Sequence, residues 1–231
     1  MRFRVLPLLI LVEIITVILL KQPDTKSIIL IIITALCMLF VSGVPWKYIL
    51  GLLGISLIGC IILVSFKPYL MERVKTFVNP SQNSSGSSYQ LQQSLIAIGS
   101  GGVFGRGLGQ SIQKFNYLPE PQGDSIFAVL GEELGFIGTS AIILIYLAFA
   151  LRGYKIAYRA PDSFSKLLVI GIITMITAQS FMNIASIIGV FPLTGVPLVF
   201  ISHGGTALLL SLGMMGIVLN ISRQASKTKP A

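Results

Sequence analysis

Three acids share one short polar stretch of an otherwise apolar chain: Asp124, Glu132 and Glu133 in NYLPEPQGDSIFAVLGEELGFIG, residues 116–138. An ionised carboxylate can take a proton from a hydroxyl or pair with a base, and an acid inside an apolar helix is costly enough to mark a functional site by default. Asp124 stands just before an apolar run, where Asp is a favoured N-cap worth about 1 kcal/mol. A capped carboxylate stays ionised and keeps its capacity to accept a proton. Glu132 and Glu133 lie about 12 to 14 Å further along a helix rising 1.5 Å per residue, and fall about 80° and 180° round from Asp124. Both cannot share the cavity of Asp124. One is expected to bond to a neighbouring helix, and Glu133 is assigned that structural role.

The remaining polar features are less specific. The glycine-rich run GSGGVFGRGLGQS, residues 99–111, contains neither G-x-G-x-x-G nor a G-K-[ST] ending. Two readings of it stay open: close packing of a re-entrant segment through small residues, or an anion cradle made by glycine amides with Arg106 and Lys114. Glu13 reads as a protonated or helix-paired acid. His203 reads as a hydrogen-bonding residue, and with no Cys or second His near it a metal site has little support. Cys37 and Cys60 both fall within apolar runs and read as packing thiols. Asn83-Ser84-Ser85 matches a glycosylation sequon, too short a motif to be informative here.

The elements that must position these acids are membrane helices. Apolar residues make up 54% of the chain and charged ones 11%, where a soluble domain carries about a quarter charged. The net charge of +9 sits at the ends of apolar runs rather than in a patch with interleaved aromatics, which argues against nucleic acid. Six runs qualify as spans: Val5–Leu20, Ser27–Ser42, Tyr48–Phe66, Ser125–Leu151, Lys166–Gly189 and Leu198–Ile221. The first, with Arg2 and Arg4 ahead of it, imitates a signal peptide, but Glu13 interrupts it and no cleavage site follows, so it reads as a retained helix. Arg2, Arg4, Lys47, the Arg152–Lys166 group and the basic C-terminus all fall on one face, which the positive-inside rule makes cytoplasmic. Both termini are then cytoplasmic. The expected organisation is a single membrane domain over 1–231, with an extracytoplasmic loop over 67–124. That loop comprises a polar connector at 79–88, a short helix lying on the membrane surface from Tyr89, and the glycine run.

Several of these stretches, in order, resemble the SEDS proteins (shape, elongation, division and sporulation), in particular their division-type FtsW branch. The resemblance rests on QPD at 22–24, GVPWKY at 43–48, RVKTFVNP at 73–80, YQLQQSLIAIGSGG at 89–102, GRGLGQSIQKFNYLPEP at 105–121, the D-x-I-F-A-x-x-G-E-E-L-G-F-I-G core at 124–138, and FPLTGVPLVFISHGG at 191–205. Around the site the chain departs from the family's His-Thr-Asp-Phe, having Gln122-Gly123-Asp124-Ser125, and it matches only the last six of the family's ten spans.

The resemblance implies an all-α polytopic bundle and a peptidoglycan glycosyltransferase that polymerises lipid II during division at the outer face of the bacterial plasma membrane. Asp124 matches the family's essential aspartate, whose proposed role is general base. For the leaving diphosphate the candidates are Arg106 and Lys114, then Arg73 and Lys75, with Ser202, Gly204 and Gly205 from the FISHGG stretch as further substrate contacts. The implied partners are lipid II, a class B penicillin-binding protein and membrane proteins of the division complex. No cofactor is implied, and the need for a divalent cation is left open. A lipid II flippase and a non-catalytic division partner are the alternatives.

Overall fold

The computed structural model describes residues 2–22, 24–78 and 86–227. Pro23 of the QPD turn, most of the 79–88 connector with its Asn83 sequon, and the Cys60 side chain lie outside the described residues. Among those described, all regular structure is helical: α1 (Arg2–Lys21), α2 (Thr25–Val41), α3 (Trp46–Phe66), α4 (Pro68–Val78), α5 (Ser87–Gly101), α6 (Gln113–Asn116), α7 (Ile126–Tyr158), α8 (Ser163–Ile187) and α9 (Gly205–Lys227).

Local chemistry sets several of these boundaries. Asp24 caps α2 by accepting the Ser27 N–H at 3.3 Å and the Ser27 hydroxyl at 2.7 Å. Asp162 starts α8 in the same way through Ser165, at 2.8 Å to each donor. Helix α4, absent from the sequence reading, opens on Pro68, whose missing N–H costs nothing at a first helical position. Helix α5 begins at Ser87, so Ser87 and Ser88 belong to it rather than to the connector.

Three described helices are long and apolar enough to cross a membrane: α7, α8 and the Gly205–Ala225 part of α9; α2 is a shorter apolar helix of 17 residues. The chain is an all-α membrane protein. Helix α8 is largely enclosed, whereas α7 and α9 expose most of their apolar surface, as helices facing lipid do.

The last expected span begins too early. Residues 198–204 are not helical, and α9 starts at Gly205. The Ser202 hydroxyl takes the Leu198 N–H at 2.7 Å, and Phe200 adopts a φ of 70°. Together they fold an apolar stretch back as a loop.

The chain forms two compact units. The first comprises Met1–Ile62, Phe149–Ala178 and Leu210–Ala231; the second comprises Leu63–Ala148 and Gln179–Leu209. In the first, α1 packs on α2, and Ala157, Val169, Ile170, Ile173 and Ile176 are buried. Gly153 lets Ile173 approach so closely that a methyl group there would lie 2.5 Å from it. In the second, α4 packs on α5, and the core joins Leu91 and Ala97 of α5, Phe127, Ala128, Val129 and Tyr146 of α7, and Ile184 and Ile187 of α8 to Leu118, Leu193 and Leu198. Every sequence-nominated site residue lies in this second unit.

Candidate active site

Helix α7 is broken two residues after Glu133. Gly135 has φ 66° and ψ −165°, outside helical geometry. At such a break the N–H groups of Phe136 and Ile137 and the carbonyls of Glu132 and Glu133 lose their mutual i→i−4 bonds, and in an apolar setting each must find another partner. The glycine-rich run supplies them. Phe136 and Ile137 donate to the carbonyls of Gly102 (2.9 Å) and Val103 (3.2 Å), while the amides of Arg106 and Gly107 donate to Glu132 and Glu133 (3.0 Å each). The backbones meet so closely that a Cβ at Gly105 would lie 2.2 Å from the Glu133 carbonyl, and one at Gly135 would lie 2.3 Å from the Gly105 nitrogen. Only glycine allows that approach. Of the two readings of the glycine run, the close-packed re-entrant segment is the one this geometry matches, and the Arg106 and Gly107 amides are committed to α7.

The two glutamates extend the same clamp. Glu132 is 1% exposed and accepts from the Ser111 hydroxyl (2.6 Å) and from the amides of Ile112 (3.1 Å) and Gln113 (3.2 Å), with Arg106 Nε 3.6 Å from its Oε1. Glu133 accepts from Lys114 Nζ at 2.7 Å and from the Ser111 amide at 3.4 Å. Although the two side chains leave the helix about 100° apart, Ser111 sits between them and serves both. Glu133 thus does bond to a neighbouring helix, the short α6 that carries Lys114, and also to the Ser111 amide in the loop before it. The consequence for anion binding is direct: Arg106 and Lys114 each face a carboxylate that already balances their charge.

Asp124 lies at the other end of this helical segment and is half-buried, its Oδ1 shielded from solvent. The turn before it is drawn tight by Gly123 and Ser125, whose amides both donate to the Glu120 carbonyl, at 3.0 and 3.3 Å. Since α7 starts at Ile126, the position immediately before the helix is Ser125, which is fully buried and accepts a hydrogen bond from Gln90 Nε2 at 2.9 Å.

Against this turn lies the segment 191–204. Ser202 donates its hydroxyl to the Gly123 carbonyl at 2.7 Å, and the His203 amide donates to Gln122 at 2.8 Å. Gly195, with φ 63°, comes so near that a Cβ there would be 3.5 Å from Asp124 Oδ2. Side chains hold successive carbonyls of this segment. Arg73 Nη1 donates to Leu193 at 3.0 Å, Asn183 to Val196 at 2.7 Å and Gln179 to Pro197 at 3.1 Å, and the Tyr146 hydroxyl donates to Val199.

Of the sequence-nominated residues, Asp124, Ser202 and Arg73 thus meet through one segment. Arg106, Lys114, Glu132 and Glu133 form a separate clamp. Lys75 is exposed on α4, and Gly204 and Gly205 lead into α9. Sequence reasoning missed Asn183, Gln179, Gln90 and Tyr146. Gln179 and Asn183, one helical turn apart in an apolar span, were the available signal. Among the described residues no three His, Cys, Asp or Glu side chains gather to hold a metal ion.

Comparison with known proteins bears on what this arrangement does. A family model described as cell cycle protein, covering FtsW, RodA and SpoVE, matches residues 2–227. The chain is 46% identical over 204 residues to stage V sporulation protein E of Bacillus subtilis, covering 87% of this chain and 55% of that protein. It is 38% identical over 216 residues to a probable peptidoglycan glycosyltransferase FtsW of Geobacter sp., covering 94% and 59%. The chain therefore spans little more than half the length of these relatives. Its fold is similar to a chain in a solved peptidoglycan synthase complex described as coordinating polymerization and crosslinking, with 25% identity and a TM-score of 0.76 over 94% of this chain and 61% of that one.

Proposed function

Because the chain belongs to the FtsW, RodA and SpoVE family of cell cycle proteins, we propose that it carries the catalytic part of a peptidoglycan glycosyltransferase that polymerises lipid II during cell division. In this reading Asp124 is the general base. It takes the proton from the 4-hydroxyl of the acceptor sugar as that oxygen attacks the anomeric carbon of the donor. The new glycosidic bond forms as the bond to the lipid diphosphate breaks, with inversion, and the diphosphate leaves with the electron pair. A carboxylate within hydrogen-bond reach can make that transfer, and the departing diphosphate requires fixed positive charge.

The observation that carries the reading is the convergence on Asp124. A half-buried carboxylate is presented at the start of a membrane helix by a tight turn, against a segment whose carbonyls are held by side chains from α4, α7 and α8. The charge pattern supports Arg73 as the first candidate for the diphosphate, with Lys75 behind it. Arg73 reaches the same segment that approaches Asp124, and no described carboxylate lies within ion-pair distance of it. Arg106 and Lys114 then act through the clamp. Ser202, Gly204 and Gly205 shape the opposite edge of the site.

The distribution of Lys and Arg supports a bacterial plasma membrane protein with cytoplasmic termini and the 67–124 segment outside, where lipid II is polymerised. The likeness to a synthase complex that couples polymerization to crosslinking supports a class B penicillin-binding protein as partner. The test is incubation of the purified chain, in vesicles, with lipid II labelled on its sugar. Glycan strands are the expected product. Labelled lipid II moving between leaflets without strand formation would identify a flippase and overturn the proposal.

A further inference from the structure

We propose that Asn183 is a positioning residue that fixes Asp124 relative to the 191–204 segment; the inference rests on Asp124 being the base. Asn183 is fully buried in α8, and its Nδ2 donates to the Asp124 carbonyl and to the Val196 carbonyl, both at 2.7 Å. One rigid amide therefore ties the backbone of the base to the segment lying across from it.

Orientation and chemistry agree. Two carbonyls face the amide, so only the NH2 end can point at them; the flipped side chain would set oxygen against oxygen. Its own Oδ1 is buried and finds no hydrogen-bond partner among the described residues. A buried acceptor left unsatisfied is unfavourable, so what this side chain contributes is its pair of donors. Gln179, one turn earlier on the same face of α8, provides an internal comparison. It donates to the adjacent Pro197 carbonyl at 3.1 Å. Gln179 tethers the segment alone. Asn183 tethers the segment to the base.

A shift of about an ångström in a reacting group can lower turnover by two orders of magnitude while leaving substrate contacts in place. The experiment measures kcat and KM for lipid II polymerisation, lipid II binding, and thermal melting in detergent for the parent, Asn183→Ala, Asn183→Gln and Gln179→Ala. Asn183→Gln keeps the amide but lengthens its arm by one methylene. Expected for both Asn183 variants is a fall in kcat of about 10- to 100-fold with KM and binding within about threefold of the parent; Gln179→Ala, which releases the segment but not the base, is expected to lose less kcat than either Asn183 variant. Parent-like kcat in a folded Asn183 variant overturns the proposal. So does a parallel loss of kcat, binding and melting temperature, or failure of both Asn183 variants to fold, since either assigns the residue to stability. An inactive parent would instead count against the glycosyltransferase reading, and so the two failures are distinguishable.

Discussion

Replacing Glu132 by alanine is expected to destabilise the second unit by about 4 kcal/mol, roughly two to four times the cost of removing its neighbour Glu133. The magnitude follows from what each carboxylate leaves behind. The hydroxyl of Ser111, itself 1% exposed, loses its 2.6 Å acceptor where water cannot replace it. A hydrogen bond to a charged group at such a site is worth about 1.5 to 3 kcal/mol. The amides of Ile112 and Gln113 are closer to solvent, and their loss adds about 0.5 to 1 kcal/mol each. Arg106, 38% exposed at 3.6 Å, adds less than about 1 kcal/mol. For Glu133 the ledger is shorter. Lys114 is partly exposed and keeps its 2.9 Å bond to the Gly109 carbonyl, and the Ser111 amide bond is long at 3.4 Å. About 1 to 2 kcal/mol is expected for Glu133→Ala. Reversible unfolding in mixed micelles, titrated with a denaturing detergent, measures both. Equal losses for the two variants, or a loss below about 1 kcal/mol for Glu132→Ala, would refute the view that the loop hangs chiefly on Glu132.

Glycine substitutions on α5 should divide sharply: a Cβ at Gly101 would lie 2.0 Å from the Gly131 carbonyl whereas one at Gly99 meets nothing within 4 Å. Gly101→Ala is expected to destabilise by about 3 kcal/mol and Gly99→Ala to be neutral or to stabilise by about 0.5 kcal/mol in the same micelle assay. Arg73→Ala is expected to weaken lipid II binding about tenfold with little change in stability, the cost of one charge-assisted contact, whereas Arg106→Ala should leave binding close to the parent. Hydrogen bonds from the Ser165 amide, then from its hydroxyl, hold the Asp162 carboxyl below its ordinary value of 3.8. A lowered folded-state value means that its contribution to α8 is complete above that ordinary value and fades as pH falls below it through the folded value. Protection of the amides at residues 163–166, taken as exchange relative to an unstructured peptide at the same pH, should therefore fall on acidification below about pH 4, and Asp162→Asn should flatten that response.

Much of the helical framework was legible because apolar runs of near-span length constrain what the chain can do. Gly135 was not legible as a break, since glycine is common within membrane helices and only the arriving backbone of Gly102–Gly107 shows why this one leaves helical geometry. The start of α9 was misplaced for the same reason: Leu198-Val199-Phe200-Ile201 has the hydropathy of a span, and only the Ser202 hydroxyl and the contacts of Gly123 reveal a loop. For the candidate site, Asp124 stood out by charge and position. The partners of Arg106 and Lys114 did not, because their carboxylates lie 26 and 19 residues away in the chain and become neighbours only when the loop folds onto α7. Asn183 carried a visible signal, an amide in an apolar span, but its two acceptors are backbone carbonyls, which no residue type announces.

Turnover of lipid II by Asp124→Asn, at saturating substrate and with substrate affinity measured in parallel, tests the central claim most directly. Asparagine keeps the size of the side chain and cannot serve as a carboxylate base. A fall in turnover of at least about 100-fold is expected, with affinity close to the parent. Parent-like turnover by a folded Asp124→Asn protein would contradict it.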